Sequence, residues 1–224
     1  MGTGIWAIAY NLQEESRQDY LTWFHEVHIP EKLSRPGYRW AAHFESMGVE
    51  DPRKPTETSS SGATFLALFG GETTRTFFDP SPGQLKQRQN ELTRNMIGKR
   101  VGATSFVYTV EWNMGQSGPD TWVGKGAAFR FIRMERFVDP AKDEEIEVWC
   151  AQERSAQASS IRGCLGTTKL LAVIGMPRHG LIFEFSDLGH AETLQFFSNT
   201  DPEPQTPFLL HGSPFSGRRI WPSV

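Results

Sequence analysis

One spacing in this chain occurs twice. Trp23 stands fourteen residues before Gly37, and Trp149 stands fourteen before Gly163, a displacement of 126 residues for both pairs. In each copy the Trp belongs to a stretch with helical periodicity, and the Gly to the turn before an extended stretch. An internal repeat constrains the fold more than composition does, because each copy must supply the same elements in the same order.

The elements repeat too. In the first copy, 5–12 reads as a strand with apolar residues on both parities. Residues 15–33 read as a helix carrying Tyr20, Trp23, Phe24 and Val27 on one side, with a break or kink expected near Pro30. Strands follow at 38–47 and 63–69, separated by a polar loop at 49–62. A helix opens at Ser81-Pro82 and runs to about 100, and 105–112 is a strand. The second copy reads as strand 127–137, helix 143–161, strands 166–174 and 180–185, a short helix 190–198, and an extended segment from 208. Each copy is β-α-β-β-α-β, the ferredoxin-like split motif. The expected boundaries are 1–114 for the first half, a Gly- and Pro-containing linker at 115–126, and 127–224 for the second half. A chain of 224 residues accommodates two such units.

A ferredoxin-like sheet carries helices on one face and leaves the other bare. Strands apolar on both parities require that bare face to be covered. The sequence therefore predicts an α+β fold of tandem ferredoxin-like repeats, packed sheet to sheet as an intrachain dimeric α/β barrel. One chain then does what two subunits usually do. A further homo-oligomer stays open, because the barrel exterior carries helices with apolar edges.

Bulk properties exclude some partners. The formal net charge is −3 and no basic run is interleaved with aromatics, so neither nucleic acid nor an anionic membrane is expected. No apolar run approaches the length of a membrane-spanning helix. Cys150 and Cys164 form no CxxC, which argues against a disulfide framework or zinc site and suits a cytoplasmic location. Sixteen Phe and seven Trp provide large rigid groups for a core or a small-molecule pocket.

Residues 20–30, Tyr-Leu-Thr-Trp-Phe-His-Glu-Val-His-Ile-Pro, followed by Arg35-Pro36-Gly37-Tyr38-Arg39-Trp40, resemble the Trp-aromatic…His-Ile-Pro…Pro-Gly pattern of EthD-like proteins. Those proteins belong to the dimeric α/β barrel superfamily. The resemblance implies a cavity between the sheets that takes small aromatic or polyketide-like molecules. The activities it implies are monooxygenase, cyclase, dehydratase or isomerase, none of them requiring a cofactor here. Non-catalytic small-molecule binding or a stress-related role is the alternative. The second half departs from the pattern: the displacement sets Arg154 opposite His28, and Ala156 opposite Pro30.

The candidate acid–base residues are His28, His43 and Glu45. His28 borders the buried side of its helix, in a last turn where the dipole favours imidazolium; the competing reading is a structural His that fixes the turn. His43 and Glu45 share one face of a strand. They form an acid–base pair if that face lines the cavity, and an ordinary polar surface if it points outward. His25, His179, His190 and His211 are expected to be uninvolved. Arg130, Arg133, Glu111 and Glu184 interrupt apolar strands, either as ion pairs or as ligand-binding groups. Lys169 falls opposite His43. Tyr10 and Tyr108 either donate to a ligand or pack in the core. His25-x-x-His28 has a possible metal-ligand spacing but no identifiable carboxylate or Cys partner, so no metal is expected. A haem-binding reading, prompted by the likeness of this duplicated architecture to chlorite dismutase, needs a proximal His in the second half.

Overall fold

The computed structural model describes residues 3–47, 63–119, 122, 130–137, 140–189, 193, 196 and 214–223. Its strands are β1 (Gly4–Leu12), β2 (Tyr38–Ser46), β3 (Phe65–Gly71), β4 (Arg100–Gly115), β5 (Phe131–Phe137), β6 (Cys164–Ile174), β7 (His179–Phe185) and β8 (Phe215–Trp221). They close a barrel in the order β1-β3-β2-β8-β5-β7-β6-β4, every pair antiparallel. Read from β4, each half contributes one sheet with its strands in the order fourth-first-third-second. The β2–β8 and β4–β6 pairings join the two sheets, so a single chain closes the barrel.

The helices lie outside. Residues 14–33 form α1 (Glu14–Trp23), a π-turn (Phe24–His28) and α2 (Ile29–Leu33). The second half has α5 (Asp143–Trp149), a π-turn (Cys150–Arg154) and α6 (Ser155–Ser159). The two π-turns are displaced by the same 126 residues as the Trp and Gly pairs. The break expected at Pro30 is absent: helix runs on to Leu33, with Pro30 in the first turn of α2, where a missing N–H costs least. The widened turn does not come from the proline, because the second one forms with Ala156 at that position. Gly37 and Gly163 stand in the turns between each helical run and the next strand, at φ 83° and 89°, the left-handed region that glycine enters without a Cβ clash.

Two other expectations need correction. The helix predicted from Ser81 to 100 is two helices, α3 (Pro82–Gln87) and α4 (Glu91–Gly98). Ser81 and Gln84 form a capping box on α3, and Asn90 caps α4 through the Thr93 N–H at 2.8 Å. That second cap nucleates a separate helix. β4 is also longer than 105–112, reaching Gly115. The 49–62 loop, residues 127–129 of the predicted fifth strand and most of the 190–198 helix lie outside the described residues.

Alternation along the strands separates three apolar layers. Ile5, Ala7, Trp40, Ala42, Leu66, Leu68, Phe106, Tyr108, Ile132, Met134, Leu170 and Ile182 fill the barrel. Trp6, Ile8, Tyr10, Ala41, Phe65, Ala67 and Phe69 face outward, beneath Tyr20, Trp23, Phe24 and Ile29 of the first helical run. Phe137, Leu181, Phe183 and Phe185 meet Ile146, Cys150 and Ala158 of the second. Each sheet is thus buried on both faces, as its two-sided apolar strands require.

Candidate functional site

The outward face of β2 carries Ala41, His43 and Glu45, so His43 points into the first helix–sheet layer and away from the barrel. It is fully buried. Its Nε2 lies 2.8 Å from Tyr10 Oη, and its Nδ1 lies 2.8 Å from His25 Nε2. Glu45 is not its partner. The Glu45 carboxylate accepts from Arg17 at 2.7 Å, at a half-exposed edge. The expected His43–Glu45 pair is thus replaced by a Tyr10–His43–His25 chain. His25, expected to be solvated, is its outermost member, with its ring 6.4 Å from that of Trp221.

His28 lies within the helical run rather than at its end, so the dipole argument for imidazolium fails. Its ring stacks at 5.5 Å on Phe24, which stacks at 5.5 Å on Tyr20. Burial, with Lys32, Arg100 and Arg35 adding to it, drives the imidazole down to about 2. Burial lowers His25 to about 4, and pushes His43 well below the ordinary histidine value. All three are neutral at pH 7 and poor proton acceptors. His25 and His28 do not converge on a metal position, since one bonds His43 and the other stacks on Trp23 and Phe24.

The second layer has the same backbone and different chemistry. Arg154, opposite His28 in the repeat, donates through Nε to Glu135 at 2.9 Å and through Nη2 to its other oxygen. Arg133 donates to the same carboxylate at 2.7 Å. Burial would raise Glu135, but Arg154 and Arg133 overcome it and hold the carboxyl at about 2. Lys169, opposite His43, is fully buried and donates to Glu147 at 2.6 Å and Glu111 at 3.0 Å. Arg133, Lys169 and Glu111 are therefore ion-pair groups of this layer, engaged with protein partners.

A haem ligand would need a free imidazole nitrogen. His179 has Asp143 at 3.0 Å from Nε2, and Glu147 at 2.8 Å and Lys169 at 3.2 Å from Nδ1. Its surroundings do not fit an axial ligand. His190 and His211 lie outside the described residues.

Glu184 and Tyr108 face the barrel interior. Glu184 is fully buried near the end of β7, where Ser117 and Trp122 close over it. Trp122 Nε1 donates to its carboxylate at 2.8 Å, Ser117 Oγ also donates, and Thr168 Oγ1 stands at 3.5 Å. Burial raises the carboxyl to about 7, more than these hydrogen bonds lower it. Trp40 packs edge-on against Trp122 at 4.7 Å. It lies directly over Gly70, where a Cβ would fall 2.0 Å from the indole ring. Trp40 Nε1 and Tyr108 Oη are buried without a hydrogen-bond partner among the described residues. Burial pushes the Tyr108 phenol up to about 12, so it keeps its proton.

The interior also holds a cavity of about 20 Å³, bounded by Ala7, Ala9, Met134, Arg136 and Phe215 among others. That is room for a single water. Two larger recesses, of about 410 and 260 Å³, open on the exterior and carry none of the candidate site residues.

Neither the short His43-to-Glu45 spacing nor any motif marks Glu184 as distinct from the other strand charges. The available signal is a carboxylate in an apolar strand, on the barrel-facing parity, with no strand Lys or Arg beside it.

No family model and no curated protein matches the chain. Solved structures do. An anthrone oxidase-like protein is 10% identical over 97% of this chain and 90% of its own, with a TM-score of 0.60. A chlorite dismutase variant from Candidatus Nitrospira defluvii is 11% identical over 97% and 91%, at 0.57. A Fusobacterium nucleatum protein provisionally named a monooxygenase is 8% identical over 98% and 93%, at 0.56. The chain has the dimeric α/β barrel fold. At these identities the likeness extends to the fold alone. No described helix is long and apolar enough to cross a membrane.

Proposed function

We propose that this chain is a cofactor-independent enzyme acting on a small aromatic or polyketide-like molecule, with the barrel interior as its site and Glu184 as its proton-transfer group. The observation that carries the reading is the Glu184 carboxyl, held near 7 by burial inside the barrel. A group with that pKa takes and returns a proton readily at neutral pH. His28 and His43 are too weakly basic for this and face the outer layer. In the proposed step, the Glu184 carboxylate removes a proton from an acidic carbon or hydroxyl. Trp40 Nε1–H and Tyr108 Oη–H are buried donors available to the resulting oxyanion. Dehydration, cyclisation and isomerisation all begin this way, as does oxygenation of an anthrone-type carbanion when dioxygen is supplied. The EthD-like segment at 20–40 and the likeness to an anthrone oxidase-like protein and to proteins named monooxygenases support the same class.

The tight interior favours a second reading, a non-catalytic barrel that binds a small molecule or serves a stress-related role. Catalysis requires side chains to move and open space beside Glu184, because the small interior cavity is lined by none of Glu184, Trp40 and Tyr108. One experiment separates the readings. Exchange of the benzylic CH₂ protons of an anthrone for deuterium is followed by NMR, with native mass spectrometry of the freshly purified protein. The enzyme reading expects exchange that falls by about 10²-fold or more in Glu184→Gln. Ligand retention without exchange supports the second reading. Exchange unchanged in Glu184→Gln would remove Glu184 from the reaction.

A further inference from the structure

The first helix–sheet layer contains buried cations that lack a carboxylate among the described residues. Lys32, 5% exposed, holds its ammonium 5.6 Å over the Trp6 ring and makes no ion pair with a carboxylate among the described residues. Arg100 donates through Nε to Tyr20 Oη at 2.6 Å, with its guanidinium 4.7 Å over Tyr10 and 5.4 Å over Phe24. Its Nη2 is buried and unpartnered. Arg35 gives Nη2 to Glu31 at 2.7 Å and leaves Nη1 buried without a partner. His28 Nδ1 and Trp23 Nε1 are unpartnered as well, with their rings 4.7 Å apart.

These groups cluster. Arg100 and His28 both pack on Phe24, Lys32 is one turn beyond His28, and all three cations act electrostatically on the His28 imidazole. Three cations and several orphaned N–H donors thus share one carboxylate, Glu31, which Arg35 already engages. Buried cations are normally paired and buried donors normally satisfied. The second layer pairs its buried cations, with Arg133, Arg154 and Lys169 each on a carboxylate. Aromatic rings stabilise a guanidinium but do not accept the hydrogen bonds left over.

We infer that the first layer is a binding site for a small oxyanion, a carboxylate or phosphate group held by Lys32, Arg35, Arg100 and His28 beneath the π-turn and α2. Either group supplies what the layer lacks: negative charge and several lone pairs for convergent N–H donors. Neutral His28 has one N–H to give, and Trp23 a second uncharged donor. The site is separate from the barrel interior and does not depend on catalysis at Glu184.

The test is calorimetric titration of the full chain with sodium phosphate and, separately, sodium benzoate, at ionic strength matched with sodium chloride. The two arms distinguish a phosphate from a carboxylate ligand. Saturable binding of either anion is expected, weakened about tenfold or more in Lys32→Gln, the equivalent of one charge-assisted hydrogen bond. Arg100 lies on three rings and its loss risks the fold, so Lys32→Gln, verified folded by circular dichroism, is the primary variant and Arg100→Lys the second. Absence of saturable binding by both anions overturns the site. Binding equal in wild type and both variants overturns it too.

Discussion

The two helix–sheet layers share a backbone and oppose each other in chemistry. Each has an outer helical run with a π-turn at the same repeat position, a left-handed glycine, and a strand beneath. The first layer fills the space with stacked rings and neutral histidines. The second fills it with Glu135 between two arginines, and with Lys169 among carboxylates. The same architecture therefore tolerates both a polar-aromatic and an ionic interior, provided each buried group finds a partner. The second layer carries its counter-charges in the chain. The first pairs Arg17 and Arg35 but gives Lys32 and Arg100 no carboxylate among the described residues, which is why an external anion is inferred there and only there.

The comparison breaks most readily at Glu135. Glu135→Gln leaves Arg133 and Arg154 without their shared counter-charge, and should cost about 3–5 kcal/mol in urea unfolding. A loss under about 1 kcal/mol would mean that the network does not hold the second layer together.

Acid should separate the two layers next. His25 and His28 sit below their ordinary 6.5 when folded, so below that value the unfolded chain takes protons the folded one refuses. The first layer should weaken from about pH 6.5 downward. Glu135 is held below its ordinary 4.5, so its contribution is complete above that value and is lost as pH falls toward 2. Amide protection factors should fall in 14–33 between pH 6.5 and 5, and stay level in 143–159. Parallel loss in both segments would contradict the assignment.

Within the first layer, His43→Phe keeps a ring in place while depriving Tyr10 and His25 of a partner. Its expected cost is about 1–3 kcal/mol in the same unfolding assay. Glu45→Gln is the smallest change. Its pair with Arg17 is half-exposed, and the effect should stay below about 1 kcal/mol. A larger loss would restore Glu45 to a role beyond the surface.

Much of the architecture was legible in the sequence. Two-sided apolar strands required cover on both faces, and the Trp–Gly spacing located equivalent positions in the two halves. Pro30 misled, because the penalty for a proline inside a helix vanishes in a first turn, and sequence does not announce the π-turn that creates one. The Asn90 cap is hidden for a similar reason: a continuous apolar pattern across Leu85, Leu92 and Met96 masks a local helix start.

The site was less legible. Strand parity put His43 and Glu45 on one face, but nothing local says whether that face meets a helix or the barrel. Their partners, Tyr10, His25 and Arg17, come from other elements. Glu184 was recognisable as an anomalous charge, whereas its Trp122 and Ser117 partners come from the stretch read as a linker. A pKa depends on such long-range company, and a single strand does not disclose it.

The most direct test of the proposed site is the protonation of Glu184 itself. Difference infrared spectroscopy of wild type against Glu184→Gln, titrated from pH 4 to 9, isolates this carboxyl. The account predicts a carboxylic-acid band that disappears with a midpoint near 7. A midpoint near the ordinary 4.5 would contradict it, because the group would then be solvated and unsuited to the proposed proton transfer.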